Sequence, residues 1–300
     1  MKQKTIKNIT SISGVGLHTG LSSTVTLMPA KSNTGINFIR TDLNNNPIIK
    51  ANLDNVISTN RSTCLKKNKA EVKTVEHLLA AIAGADLDNL IIQINNLEVP
   101  ILDGSSKEFT QLINDAGIKF LEAEKNIFKV KKAISFYDDS SGTKLTIEPA
   151  DNFKIEVEID YNSHILKKQR AYMNSISEFS SKFTSCRTFC FLHELDILLK
   201  NNLIKGGDIS NAIVIADKKI ESNKLKELKK IFNKEELKVT SEGILNNLEL
   251  RFNNEPARHK LLDVIGDLSL IGIKIIGKIT AIKPGHKNNI KFAKCIKKII

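Results

Sequence analysis

Four short constellations hold most of the chemistry open to this sequence. His259 and Asp263 stand four residues apart in HKLLD, and on a helix that spacing puts both side chains on one face, a single turn apart. An imidazole nitrogen and a carboxylate oxygen so placed can reach one zinc ion at roughly 2.0–2.2 Å, although the same pair could make only a surface hydrogen bond. Asp267 continues that polar side by one more turn, while Leu261, Leu262, Ile265 and Leu268 form the apolar stripe. Glu76-His77 is the second constellation. A catalytic zinc takes three protein ligands and leaves one position for water, and a glutamate beside a ligand histidine can act as general base towards that water. No HExxH signature accompanies the pair, and a helix bearing an exposed glutamate and a capping histidine would look the same. Lys283-Pro284-Gly285-His286 sets a histidine on a glycine-flanked loop, able to donate a proton or stabilise an oxyanion, or to serve only as a turn. Arg187-Thr188-Phe189 offers a hydroxyl beside an aromatic face.

These groups need elements to position them. In the first half, TVTLMPAK and GINFIRTD alternate as strands, and residues 44–73 form a polar, turn-rich excursion. A helix is expected from Thr74, which can cap it, to Ala83, with Gly84 at its end. NLIIQIN follows as a buried strand, and Ser105-x-x-Glu108 is a capping box opening a helix that Gly117 stops. In the second half KAISFYD, TKLTIEPA and FKIEVEIDY alternate as strands, with helices expected at 175–183, at 192–200 and from Pro256 to Leu270. NAIVIAD forms an apolar run after Gly206-Gly207, and GIKIIGKITAIK closes as a strand. One echo stands out: HLLAAIAGADLDNLIIQI from His77 resembles HKLLDVIGDLSLIGIKII from His259. A duplication would give two similar α+β domains meeting near residues 122–128, with the two histidines facing each other; a chance likeness of two amphipathic helices gives the same letters.

Composition narrows the class. The 300 residues are 41% hydrophobic and 26% charged, which excludes collagen, a disordered tail and a coiled coil, and no apolar stretch reaches the roughly 18 residues of a membrane span. The opening MKQKTIKNIT has no apolar core behind it, so a secretory leader is not expected and the cytoplasm is the expected compartment. Lys and Arg exceed Asp and Glu by 45 to 33, a net charge of +12. That excess fits nucleic acid, anionic lipid or a phosphorylated small substrate, but the lysines are scattered, Trp is absent and only 3 Tyr are present, which weakens a base-stacking reading. Cys64, Cys186, Cys190 and Cys295 lack zinc-ribbon or disulfide-framework spacing and read as reduced thiols.

Taken together and in order, QKTIKNITSISGVGLHTG, NTGINFIRTDL, TCL, KTVEHLLAAIAG, VPILDGSS, CRTFCF, GGDISNAIV, RHKLLDVIGDL and KPGH cover essentially the whole chain. They resemble the UDP-3-O-(3-hydroxyacyl)-N-acetylglucosamine deacetylases, zinc amidases at the committed step of lipid A synthesis. The resemblance implies an α+β fold of two similar domains, each a β-sheet packed on helices in a layered sandwich with one insert. Residues 1–124 would carry an insert at about 42–73 and supply Glu76 and His77; residues 125–300 would carry one at about 191–222 and supply His259, Asp263 and His286. It implies one Zn2+ per chain, or Fe2+ in the cell, on His77, His259 and Asp263. Glu76 would be the general base, His286 a charged histidine oriented by Asp267, and Thr188 a donor to the oxyanion. Lys260, Lys144 and Lys283 would lie near the diphosphate or sugar and Phe189 near the sugar–nucleotide, while Leu195, Ile204, Ile209, Ala212 and Val214 would wall the acyl passage. The implied partner is the UDP-linked acylated N-acetylglucosamine, handled by a monomer close to a membrane surface, with no nucleic acid. His18 and Asp103 match further signatures and would support the site or the fold. Cys190 stands where the family has glycine, and His164 follows Ser163 where Asn-His-Pro is common, so the fine shape of the sugar pocket is open.

Two other classes compete: a basic nucleic-acid-binding α+β protein, and a metal-free homologue kept as a scaffold. The first has no reason to gather Glu76, His77, His259, Asp263 and His286, and the second is disfavoured by competent residues at every ligand position.

Overall fold

In the computed structural model the first half of the chain runs β1 (Lys2–Ile6), β2 (Thr10–Val15), β3 (Ser22–Pro29), β4 (Ile36–Arg40), β5 (Ile48–Lys50), β6 (Val56–Ser58), β7 (Cys64–Lys67), β8 (Ala70–Val72), α1 (Glu76–Gly84), β9 (Leu90–Ile94), α2 (Lys107–Ala116) and β10 (Ile118–Glu124). The second half runs β11 (Ile127–Lys129), β12 (Ile134–Asp138), β13 (Thr143–Glu148), β14 (Lys154–Ile159), β15 (Gln169–Met173), α3 (Phe179–Lys182), β16 (Phe189–Phe191), α4 (Leu192–Lys200), β17 (Ile213–Ile215), α5 (Ser222–Ile231), α6 (Glu255–Ser269), β18 (Lys274–Ile276), β19 (Lys278–Ile282) and α7 (His286–Lys297). The structure describes residues 1–200, 204–217, 222–231, 235–240, 243–245 and 248–300; parts of the segment 191–222, at 201–203 and 218–221, lie outside the described residues.

Two five-stranded sheets share one topology. Their strand orders are β2-β3-β9-β4-β5 and β12-β13-β19-β14-β15. In each, two antiparallel hairpins come first in the chain, and a later strand that follows a helix lies between them, parallel to one neighbour and antiparallel to the other. The echo between His77 and His259 falls on the helix that precedes the inserted strand in each half, α1 and α6, but its strand correspondence slips. β9 corresponds in topology to β19, not to β18, because β18 leaves to pair with β11 before the central strand begins. The sheet faces follow the period-two pattern of a half-buried strand: Leu90, Ile92 and Ile94 of β9 are fully buried, as are Val25 and Leu27 of β3.

Both central helices are buried nearly all round, the pattern of elements packed within a core. Glu76 through Ile82 of α1 are buried, as are twelve residues of α6. α6 packs against β14 and β15 and against α7, and α1 packs against α2 and α6. Apolar side chains of both halves join one continuous core. Close approach of the helices depends on Gly266, whose added Cβ would lie 2.2 Å from the Glu76 carbonyl oxygen. Gly266→Ala should therefore push α1 off α6 and lower stability by about 1–3 kcal/mol, the usual cost of overpacking, with a matching fall in the denaturation midpoint; an unchanged midpoint would mean the helices are free to slide apart. Among the described residues no helix is long and apolar enough to cross a membrane.

Several elements differ from the sequence expectation. Within the segment read as an excursion, β5 is an edge strand of the main sheet and β6-β7-β8 form their own sheet, anchored by Leu65 and Val72. Thr74 does not cap α1: it adopts a left-handed backbone, with φ 57°, and its hydroxyl donates to Glu98 Oε1 at 2.7 Å. The capping box does not open α2, which begins at Lys107. Ser105 is tied to Asp103, and the Ser106 hydroxyl donates to the His77 carbonyl at 2.7 Å. α7 was not expected at all, although Ile290, Ala293 and Ile296 recur every third residue with lysines on the opposite side.

Candidate metal and catalytic site

The N-terminal turn of α1, the first three turns of α6 and the start of α7 converge on a cavity of about 560 Å³, lined by Glu76, His77, Thr188, Phe189, His259, Lys260, Asp263, Lys283 and His286 among others. That volume lies in the range of small-molecule pockets. The chemistry of its floor follows from one helical ladder. Asp263 Oδ1 lies 3.4 Å from His259 Nε2, one turn before it on α6, and 3.7 Å from His77 Nε2, which α1 brings across the helix–helix contact. The two imidazole rings meet edge to face with centroids 5.0 Å apart.

Three features show that these residues fit a metal ion. The ligand atoms of His77, His259 and Asp263 lie within 4.8 Å of one another, and the closer two separations approach the roughly 3.4 Å expected for nitrogen and oxygen ligands around a tetrahedral zinc. Asp263 Oδ1 is buried with no hydrogen-bond partner, which is costly for a carboxylate oxygen unless a cation or donor completes it. His259 Nδ1 bonds the Cys186 carbonyl at 3.0 Å, so that nitrogen carries the proton and Nε2 presents its lone pair to the cavity.

The electrostatics agree. Burial, reinforced by His259, pushes the His77 pKa down to about 3, and burial with the Lys260 ammonium lowers that of His259, so both rings are neutral. Burial alone would raise Asp263, but Lys260 and the surrounding imidazoles hold it well below the ordinary carboxylate range. Its Oδ2 accepts from Lys260 Nζ at 2.8 Å. That ammonium lies 5.6 Å from the centre of the Phe189 ring, within reach of a cation–π attraction.

A second group faces the same floor. Glu76 is buried; its Oε2 accepts from the Thr63 backbone at 3.0 Å and its Oε1 lies 3.8 Å from His286 Nε2. Burial pushes Glu76 up to about 7 against the opposing pull of His286, the range suited to a base working near neutrality. His286 is the first residue of α7, where the helix dipole disfavours a cation. It is held by Asp267 Oδ2 at 2.9 Å from Nδ1, and Asp267 is itself fixed by Thr63 Oγ1 at 2.6 Å and Asn289 Nδ2 at 2.8 Å. Burial works against the charge, but Asp267, Asp263 and Glu76 outweigh it and raise His286 to about 10. A raised folded pKa contributes stability that is complete below the unfolded value near 6.5 and is lost as pH climbs towards about 10. In the metal-free protein, nitrogen NMR of the His286 ring at pH 8 should accordingly find both nitrogens protonated; a neutral ring there would mean that the three carboxylates do not hold the charge.

The remaining candidates divide. Thr188 lines the cavity, held by its N–H to the Gly104 carbonyl at 2.8 Å. Gly104 has φ +81°, and an added Cβ would lie 1.9 Å from the Asn211 carbonyl oxygen, so that turn requires glycine. Lys283 lines the cavity rim with its Nζ 3.5 Å from Asp160. Lys144 does not line it: strand alternation sends Thr143 to the cavity and Lys144 to the exposed face, over the Tyr137 ring at 5.6 Å. Leu195, Ile204, Ile209, Ala212 and Val214 do not line it either. Leu195, Ile209 and Val214 are packed in a separate apolar cluster with Ile204 against it. The physical reason is β17, covered on both faces: Ile213 and Ile215 enter the main core and Val214 the smaller one. Asp103 braces the turn before α2 through Ser105 and through Arg251 at 2.8 Å, and the His18 N–H donates to Glu98. The four cysteines are free, and burial pushes the Cys186 and Cys190 thiols up to about 12. His164, the other departure from the family pattern, is exposed.

Cavity residues that sequence reasoning missed include Tyr161, Asn162 and Arg61, which loops deliver after β14 and before β7; no periodicity marks them. Glu255 was also missed. It extends the ladder Glu255, His259, Asp263, Asp267 back by one more step of four, and all four are buried.

Comparison with known proteins agrees with this architecture. Residues 3–233 and 228–298 match the LpxC family, described as UDP-3-O-acyl N-acetylglycosamine deacetylase. A bifunctional enzyme LpxC/FabZ of Bacteroides thetaiotaomicron is 43% identical over 300 residues, covering 100% of this chain and 65% of that protein; its counterpart in Chlorobaculum tepidum is 41% identical over 99% of this chain and 64% of that protein. This chain thus spans somewhat less than two thirds of those relatives. A UDP-3-O-acyl-N-acetylglucosamine deacetylase of Chlamydia caviae is 37% identical, covering 99% of this chain and 98% of that protein. With the repeated sheet topology and matches of this extent, the chain belongs to the UDP-3-O-acyl N-acetylglycosamine deacetylase family.

Proposed function

We propose that this protein is a metal-dependent deacetylase that removes acetate from UDP-3-O-acyl-N-acetylglucosamine, the substrate in the names of its relatives, in lipid A synthesis, working in the cytoplasm with the first half (1–124) and second half (125–300) each supplying part of the site. The observation that carries this is the buried, unpartnered Oδ1 of Asp263 between two neutral imidazole nitrogens.

His77, His259 and Asp263 would hold the ion, zinc or in the cell iron. Bound there, it would supply Lewis acidity, polarising the amide carbonyl and lowering the pKa of water. Glu76 Oε2 is occupied by the Thr63 N–H, so Glu76 takes the proton of the attacking water at Oε1. His286 spends Nδ1 on Asp267, which leaves its Nε2–H to stabilise the developing oxyanion or protonate the departing amine. The Thr188 hydroxyl is a further donor to that oxyanion. Lys260, Lys283 and Phe189 would meet the diphosphate and sugar–nucleotide, where the two ammonium groups counter the substrate's charge. A nucleic-acid-binding role gives no account of buried neutral histidines around a free carboxylate oxygen.

Acetate release from the UDP-linked acyl sugar, followed by mass spectrometry of the free amine, tests this directly. Turnover that a chelator abolishes and zinc restores is expected; no deacetylated product at any metal content would sink the reading.

A further inference from the structure

Arg187 and Glu255 form a buried pair that the mechanism above does not use. Glu255 is fully buried at the first residue of α6, and Arg187 is buried immediately before Thr188. The Arg187 N–H and Nε both donate to Glu255 Oε1, at 3.0 and 2.9 Å, and Nη2 donates to Oε2 at 3.1 Å. Arg187 Nη2 also reaches the Glu249 carbonyl, and the Arg251 N–H donates to Glu255 Oε2 at 2.6 Å. Both oxygens of one carboxylate thus bind the segment ahead of β16 onto the first turn of α6.

The residues on either side of Arg187 explain why that matters. Cys186 gives its carbonyl to His259 Nδ1 at 3.0 Å, and Thr188 lines the cavity. His259 lies one turn beyond Glu255 on the same helix. A displacement of residues 186–188 relative to α6 would therefore break the bond that fixes the His259 tautomer and move the Thr188 hydroxyl with it. We propose that Arg187 and Glu255 are positioning residues: they clamp this segment so that the Cys186 carbonyl aims His259 Nε2 at the metal and Thr188 stays at the reacting carbonyl. The pair touches neither metal nor substrate. This inference rests on the metal-site reading above.

The test uses the full chain carrying Glu255→Gln or Arg187→Lys. The first keeps the shape and removes the charge, and the second keeps the charge and removes the fork. Zinc affinity is measured by chelator competition, and the visible spectrum is recorded on cobalt-loaded protein. Loss of a group that supports a metal ligand typically costs 10–100-fold in affinity or activity. A loss of about 10-fold or more in zinc affinity is expected, with an altered cobalt spectrum and a fall in kcat larger than the change in KM. Cobalt spectrum and zinc affinity equal to wild type, in variants whose only change is a lower melting temperature, would overturn the proposal and leave the pair a stability element. If Glu255→Gln does not fold, the milder Arg187→Lys decides on the same readouts. Absence of metal binding in the wild type would instead count against the metal-site reading.

Discussion

Asp263→Asn should give a folded protein that no longer retains zinc through purification and has lost nearly all turnover. The carboxylate is the centre of the ligand set, its Oδ1 lying 3.4 and 3.7 Å from the two imidazole nitrogens, and its charge is secured by Lys260 at 2.8 Å. Asparagine has nearly the same volume but offers a neutral amide in place of an anionic ligand. Losing a direct ligand should exceed the 10–100-fold cost of losing an outer partner, so a fall beyond about 100-fold in zinc affinity is expected. Lys260 loses its buried counterion in the same variant, and stability should drop by about 1–3 kcal/mol. Metal content and melting temperature measured together check both halves; stoichiometric zinc in the variant would remove Asp263 from the ligand set.

Glu76→Ala should separate catalysis from metal binding. The Glu76 carboxylate belongs to none of the three ligand pairs, and it faces the cavity through the oxygen not taken by Thr63. Loss of a general base costs about 10²–10⁴-fold, so turnover should fall by that factor with zinc still bound at neutral pH. A variant that loses its zinc along with its activity would make Glu76 a ligand or a ligand support.

What the sequence made legible was what local periodicity can encode. Spacing by four put His259, Asp263 and Asp267 on one side of a helix, and α6 carries them there. It did not extend to Glu255, because proline is favoured at the first helical position and Pro256 therefore marks a start one residue later than the one α6 adopts. The strands of both sheets alternate visibly, but the insertion of β9 and β19 between earlier hairpins is a long-range choice that no local pattern states. The two expected caps failed for different reasons: the distant Glu98 takes the Thr74 hydroxyl, whereas Ser105 donates to the neighbouring Asp103 and its oxygen accepts from the Lys107 N–H, so α2 starts at Lys107 and Ser105 stands ahead of the cap position. Lys144 shows the sharpest limit, since a single step along β13 decides whether a side chain meets the cavity or the solvent. NAIVIAD was legible only as an apolar run; that residues 213–215 form a strand buried on both faces depends on the main core on one side and on α4 and α5 closing over the other.

The most direct measurement is the metal-to-protein ratio of the purified chain, taken with acetate release before and after exhaustive chelation. One zinc or iron per chain, with activity that leaves with the ion and returns on adding zinc, is the expected result. A metal-free protein that releases acetate from the UDP-linked acyl sugar at the undiminished rate would contradict it.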